Sequence, residues 1–248
     1  MDDLTTPIAN RDLAGQIDGV ATLRDGVRRA LYVHVAEARG PVSRDEAATA
    51  LGIRRSLAAF HLDKLVEAGL LECEFRRLTG RTGPGAGRPA KLYARSEREL
   101  QLSLPPRNYE LAARLLAEAL EQPDDGRTGR ERANDVARQR GAAIGMRARA
   151  AARGPQARIT AAMEGLDEIG FDPQRQSGSV LLRNCPFHAL AADHLSLVCG
   201  LNHSLMTGLV DELHAGSLEA RLDPAVGRCC VVLSTGASAA AESVAGDS

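Results

Sequence analysis

The apolar positions of this chain fall into two spacings, and their order predicts the elements. Between Ser43 and Gly69 apolar residues recur every three or four positions, the period of a helix buried on one side. Ala47, Ala48 and Leu51 share one face of a first short helix, with Ser43 as N-cap and Glu46 three residues later as its capping-box partner. Gly52 suits the turn after a helix C-terminus. Leu57, His61, Leu62, Leu65 and Ala68 share one face of a second helix that Gly69 closes; on that face His61 reads as a core histidine rather than a ligand. The opposite face carries Arg55, Ser56, Ala59, Phe60 and Asp63. Two strand-like runs follow, Leu70 to Leu78 and Ala90 to Arg95, separated by GRTGPGAGRP, whose Gly and Pro content predicts a loop.

Helix, turn, helix and hairpin in that order form a winged helix-turn-helix, a device that reads the major groove of DNA with its second helix. Arg54, Arg55, Ser56 and Ala59, near the start of that helix, are the candidates for base edges and nearby phosphates. Arginine can contact guanine with two hydrogen bonds, and small residues leave room for a thymine methyl. Lys64 adds charge further along. Phe60 either meets DNA or a partner, or folds back on the scaffold. On the wing, Arg76, Arg77, Arg81, Arg88 and Lys91 make the hairpin basic. From Leu51 to Arg98 ten Lys or Arg stand against five Asp or Glu, a local net charge of +5 in a chain whose total is −1. Positive charge concentrated in this way is what phosphate binding requires.

A boundary is expected at Ser103 to Pro106, where LPP interrupts the pattern. Beyond it, Tyr109 to Leu120 has helical spacing, with Leu111, Leu115 and Leu116 apolar. Asp125 to Arg153 reads as a long helix weakened at Gly141 and Gly145. Between Arg127 and Arg158 nine Arg face two acids, so this helix packs along an acidic part of the chain, lies solvated, or adds to a DNA-facing field. Gln156 to Ile169 is a third helix, and SGSVLLRNCPF is a strand. A helix closing at Cys199 is followed by another from Gly200 to His214, with Leu201, Leu205, Leu209 and Leu213 on one side. Leu218 to Asp223 and Arg228 to Leu233 form a strand pair. The fold class that results is mainly α with small β. Residues 1–20 form a flexible N-terminal tail, 21–98 the winged helix-turn-helix, 107–234 an α+β sensor and dimerisation domain, and 235–248 a disordered tail.

Four of the five cysteines, Cys185, Cys199, Cys229 and Cys230, lie in the last third of the chain. Cys73, in the first wing strand, reads as a small buried side chain. Neighbouring residues on a strand point to opposite faces, so only one of Cys229 and Cys230 is expected to share a site with Cys185 and Cys199. Three thiolates from three elements suit an iron–sulfur cluster with a non-cysteine fourth ligand, or a zinc site completed by His188, Asp193 or His194; buried structural thiols are the plainer alternative.

Aromatic residues make up only 3% of the chain and Trp is absent, so Ala, Leu and Val must build the core. No 18-residue apolar run predicts a membrane span, and the polar, acidic start MDDLTTPIANRD has no signal-peptide pattern. A cytoplasmic protein with reduced thiols is expected. Nucleophile elbow, P-loop, HExxH and dinucleotide fingerprints are missing, which argues against an enzyme. Cys199 and His203 share helical spacing, a pairing common by chance.

The run LGIRRSLAAFHLDKLVEAGL, continued by GRPAKLY, resembles the ArsR-type and related winged-helix bacterial transcriptional regulators over roughly Leu23 to Arg95. The resemblance implies a first helix from Leu23 to Ala38, with Leu31, Val35 and Ala38 on its buried side. With the helical part and the C-terminal cysteines added, the chain is similar to the SufR-like, iron–sulfur-sensing branch. That implies a homodimeric repressor of iron–sulfur assembly genes on a double-stranded DNA operator. It also implies a [4Fe-4S] cluster held by Cys185, Cys199 and one of Cys229 and Cys230. The chain departs from that pattern in RCCVVL, where the last two cysteines are adjacent within an apolar run.

Overall fold

The computed structural model describes residues 13–77, 89–216 and 218–235. The chain divides between Leu102 and Ser103 into two compact units.

The first unit begins with α1 (Leu13–Thr22), where the sequence predicted tail. The spacing of Leu13, Ile17 and Val20 at four and three residues is helical, but too short to stand out beside the polar start. Residues 1–12 lie outside the described residues. Helix α2 (Gly26–Glu37) is capped by Asp25, whose side chain accepts from the Arg28 amide, and it buries Leu31 and Val35. It starts later than Leu23 because that cap fixes the entry. Strand β1 (Val42–Ser43) leads into α3 (Arg44–Leu51), whose capping box closes in both directions between Ser43 and Glu46. Gly52 takes the left-handed conformation (φ 62°) that ends α3. Helix α4 (Arg55–Glu67) buries Ala58, His61, Leu62 and Leu65. Strands β2 (Leu71–Arg76) and β3 (Ala90–Arg95) form the hairpin, and the antiparallel sheet runs β1-β3-β2. The hairpin tip, with Arg81 and Arg88, lies outside the described residues.

Cys73 is exposed, not buried. Strand β2 is an edge strand, and only Leu71 of its residues reaches the core.

The second unit opens with α5 (Tyr109–Glu121) and α6 (Gly129–Ala151). A capping box of Thr128 and Glu131 starts α6, which runs unbroken through Gly141 and Gly145. Those glycines are contact points rather than weak points. A Cβ on Gly141 would lie 1.7 Å from the Leu205 carbonyl oxygen, and one on Gly145 would lie 2.3 Å from that of Leu209. Facing them, a Cβ on Gly208 would lie 1.9 Å from the Arg138 carbonyl oxygen. Backbone therefore touches backbone where α6 crosses α9 (Leu195–Leu213). The arginines of α6 settle onto the same partner: Arg138 bonds Asp211 at 2.6 Å and Arg149 lies 3.5 Å from Glu212.

Between these two come α7 (Pro155–Glu168), β4 (Pro173–Gln176), β5 (Ser179–Leu182) and the short α8 (His188–Asp193). Helix α9 is one helix where two were expected, since Gly200 does not break it. β6 (Leu218–Leu222) and β7 (Val231–Thr235) complete an antiparallel sheet of order β4-β5-β7-β6. The core joins Leu111 and Leu115 of α5, Leu201, Leu205, Leu209 and Leu213 of α9, and Val180, Leu182, Val231 and Leu233 of the sheet.

Candidate functional site

Two regions collect chemistry. In the second unit four cysteines meet. Cys185 sits on the turn after β5, Cys199 in the second turn of α9, and Cys229 and Cys230 on the loop entering β7. Because β7 starts only at Val231, strand alternation does not apply to the adjacent pair, and both thiols enter the site. This corrects the expectation that only one would. The sulfurs interact in the order Cys185, Cys229, Cys230, Cys199, each with the next. His188, Asp193 and His194, the sequence candidates for a fourth ligand, are exposed. His203 points its Nε2 to the Ala220 carbonyl at 3.3 Å rather than pairing with Cys199.

The scaffold under the thiols is closely bonded. Asn184 donates to the carbonyls of Pro106 at 2.7 Å and Gly170 at 2.5 Å and accepts from Arg107, whose guanidinium also reaches the Cys185 carbonyl at 3.1 Å. The Cys229 amide donates to Leu182 O at 2.8 Å, and Cys230 O accepts from the Asp223 amide at 2.8 Å. Beneath the sulfurs lies Asn202 of α9, fully buried, with its Nδ2 at 3.6 Å from the sulfurs of both Cys185 and Cys229. Sequence reasoning missed it; an amide within an otherwise apolar helix face was the available signal.

The array separates the acidities of its members. Hydrogen bonding from Cys229 lowers the Cys185 thiol to about 7 against the pull of burial, with help from the Phe187 amide and Asn202. Hydrogen bonding from Cys229, then from Cys199, lowers Cys230 to about 6. Burial, then Cys230, pushes Cys199 up to about 12. Cys229, donating to Cys185 and Cys230, is pushed up as well. The hydrogen bonds thus favour the thiolate form at Cys185 and Cys230 and the thiol form at Cys199 and Cys229. Among the described residues no group of three or more His, Cys, Asp or Glu forms a finished cage for one metal ion.

In the first unit the outer face of α4 is open. Arg54, Arg55 and Ser56 are exposed and Ala59 is half-buried. Phe60 is 54% exposed, its ring edge-on to His61 at 5.2 Å. Arg55 reaches across to Asp45 of α3 at 2.5 Å. Lys64 pairs with Glu67 at 2.5 Å, and Arg76 pairs with Glu74. Arg77 is exposed. His61 faces the core as expected, its Nδ1 3.4 Å from Arg28 Nε.

Residues 23–74 match the family model of a helix-turn-helix domain.

No curated protein and no solved structure matches the chain. The helix-turn-helix domain points to a DNA-binding regulator, and no described helix is long and apolar enough to cross a membrane. Within this domain the charge placement differs from the sequence reading at one residue. Lys91 does not stand free on the wing: its Nζ lies 2.7 Å from Asp63 Oδ1 on α4. The buried Tyr93 donates its hydroxyl to the same carboxylate at 2.6 Å, and Arg44 donates to the Tyr93 hydroxyl at 2.9 Å. Burial pushes the Asp63 carboxyl up, but hydrogen bonds from Lys91 and Tyr93 and the charges of Lys91 and Arg44 hold it below the usual carboxylate range. Asp63, placed on the DNA-facing side by periodicity, instead ties α4 to β3 and α3. No periodic signal links Arg44, Asp63 and Tyr93, which lie far apart along the chain.

Proposed function

We propose that this chain is a homodimeric, DNA-binding transcriptional repressor whose C-terminal cysteines carry an iron–sulfur or redox signal. The observation that carries the reading is the meeting of four sulfurs from three separate segments in a unit joined to a helix-turn-helix domain. Cys185, Cys199, Cys229 and Cys230 would hold a [4Fe-4S] cluster. The donor set is right in kind: four sulfurs, two already acidic, with an amide N–H aimed at two of them. Four neighbouring sulfurs that form no cage for a single ion also suit a many-atom cluster better than a tetrahedral ion. Such a group, when bound, supplies sensitivity to oxidants and to iron supply.

The chain's own part is to convert that into DNA affinity. One recognition helix reads few base pairs, so a two-fold pair of domains is needed for a two-fold operator. Occupancy of the thiol site alters affinity by no more than its differential preference for the two arrangements of the pair. At the interface Arg54, Arg55, Ser56, Ala59 and Phe60 face base edges, while Lys64, Arg76, Arg77, Arg81 and Arg88 serve phosphates. Lys91 acts through Asp63 to fix the wing.

The test is anaerobic purification with iron, sulfide and zinc analysis, followed by DNA binding with and without bound metal. A brown, iron- and sulfide-containing protein whose operator affinity changes on exposure to air is expected. A colourless, iron-free preparation that takes up no iron and sulfide on reconstitution defeats the iron–sulfur reading.

One observation favours a second reading, a regulator of the same type that binds a small organic effector. A cavity of about 580 Å³ is lined by Cys199 together with Leu195, Leu197, Leu222, Pro224, Arg130 and His194, among others. Under that reading Cys185→Ser and Cys199→Ser leave regulation intact.

A further inference from the structure

We infer that Asn202 is a working member of the thiol site: its carboxamide N–H groups hold the Cys185 and Cys229 sulfurs and set how readily a group bound there accepts an electron. The inference rests on the proposed iron–sulfur reading for its electron-accepting part, and on geometry alone for the hydrogen bonds.

Among the described buried polar side chains, Asn202 is the one with no solvent exposure at all. The others, 7–9% exposed, have evident tasks, and His61 accepts from Arg28. Ser43 caps α3, Asn108 caps α5 and Asn184 stitches three segments. Asn202 lies on α9 beside Leu201, Leu205 and Met206, all buried. A leucine at 202 would suit that surrounding better, because burying an amide is unfavourable unless its hydrogen bonds are made. Its Oδ1 has no partner among the described residues, so the helix gains nothing from that end. The Nδ2 group, in contrast, reaches two sulfurs, each at 3.6 Å. Asn202 also stands three residues from Cys199, on the same side of α9. One helix thus brings a sulfur and the donor for two other sulfurs to the same place.

An N–H aimed at a sulfur stabilises negative charge there. On a metal–thiolate group it favours the reduced state and raises the reduction potential. It also fixes the sulfur's direction, so the loops bearing Cys185 and Cys229 meet the ligand already oriented. Asn202 is therefore a positioning residue.

The experiment uses the full chain, kept anaerobic, as wild type, Asn202→Leu and Asn202→Asp. Leu keeps the size and removes both donors; Asp keeps the shape and replaces the amide donor with a carboxyl. After reconstitution with ferrous iron and sulfide, the reduction potential is measured by spectroelectrochemical titration, and the air lifetime of the colour is timed. Both variants are expected to keep the wild-type circular dichroism. Asn202→Leu should show a more negative potential and a several-fold shorter lifetime. An unchanged potential in a folded, iron-loaded Asn202→Leu overturns the electron-accepting part. In parallel, metal-free protein with ¹⁵N-labelled asparagine is compared with its Cys185→Ser and Cys229→Ser forms by NMR. The Asn202 side-chain amide signals should move in both, and signals unmoved in both overturn the hydrogen-bonding part. If the wild type takes up no iron, the iron–sulfur reading fails by itself, and the NMR arm still decides whether Asn202 serves the thiols.

Discussion

The two units solve opposite problems of burial. Around Asp63 the first unit gathers ionic groups that are only partly shielded: the Asp63 side chain is 41% exposed, Lys91 18% and Arg44 29%. The second unit shields single arginines as closely, Arg132 at 14% and Arg228 at 17% exposed, but gathers no such ionic cluster at its centre, where the buried polar side chains are amides. Its two longest helices meet through bare glycine backbone, and its polar centre is sulfur and one amide. A domain that approaches a polyanion must stay charged and hydrated, so its internal ties are ion pairs that tolerate water. The second unit sets its thiols against an apolar core, with Cys229 buried and the other three half-buried, and its central ties are close backbone packing and hydrogen bonds to sulfur. The difference separates what each unit can lose: the first should lose single ties cheaply, whereas the second should fail at a point of contact.

The sharpest way to break this contrast is Gly141→Val. The added carbons would enter the Leu205 carbonyl, 1.7 Å from the Cβ position, and backbone cannot yield as a side-chain tip can. A loss of ~3 kcal/mol is expected, read as an early melting transition of the second unit with the helix-turn-helix domain still folded. A single unshifted transition would show that α6 and α9 can move apart.

Next in size is Arg55→Ala. It removes a side chain from the open face of α4 and should weaken specific DNA binding by roughly 1–3 kcal/mol with little change in folding stability. Gel-shift titration against specific and random duplexes separates the two effects, and equal weakening on both would reassign Arg55 from bases to phosphates. Asp63→Asn should cost about 1 kcal/mol, limited by the solvent around the pair. Its sign with pH follows from the lowered carboxyl. The stabilisation is present above the unfolded carboxylate range near ~3.9 and is lost as pH falls through the lower native value. Denaturant titrations from neutral to acid pH should therefore show the variant with a flatter acid limb than wild type. Smallest is Phe60→Ala, where exposure predicts a stability change within ~0.5 kcal/mol. A fall in DNA affinity without a fall in stability would place the ring on the nucleic acid.

Local signals were readable in the sequence, and meetings between distant segments were not. Ser43 and Glu46 announce α3 because both halves of a capping box lie within one turn, and the α4 face from Ala58 to Leu65 follows from helical period. The pairing of Lys91 with Asp63 spans 28 residues and two kinds of element, so counting charge along the chain credits the wing with a cation already engaged. The cysteines show the same limit. Their convergence could be guessed, but the sharing of one site by Cys229 and Cys230 depends on where β7 begins to pair with β5 and β6. Alternation of faces holds on a strand, and Cys229 and Cys230 lie on the loop before one. Propensity alone makes Gly141 and Gly145 flaws in a helix; the opposing backbone of α9 shows them as room for a neighbour.

The glycine crossing also bears on how a signal could leave the thiols. Rods in contact at bare backbone have no side-chain layer between them to take up a displacement. Helix α9 carries Cys199 and Asn202 near one end and Gly208 further along, so a tug on those sulfurs would be felt along the 23-residue length of α6, much as a splinted joint turns a local push into movement of the whole limb.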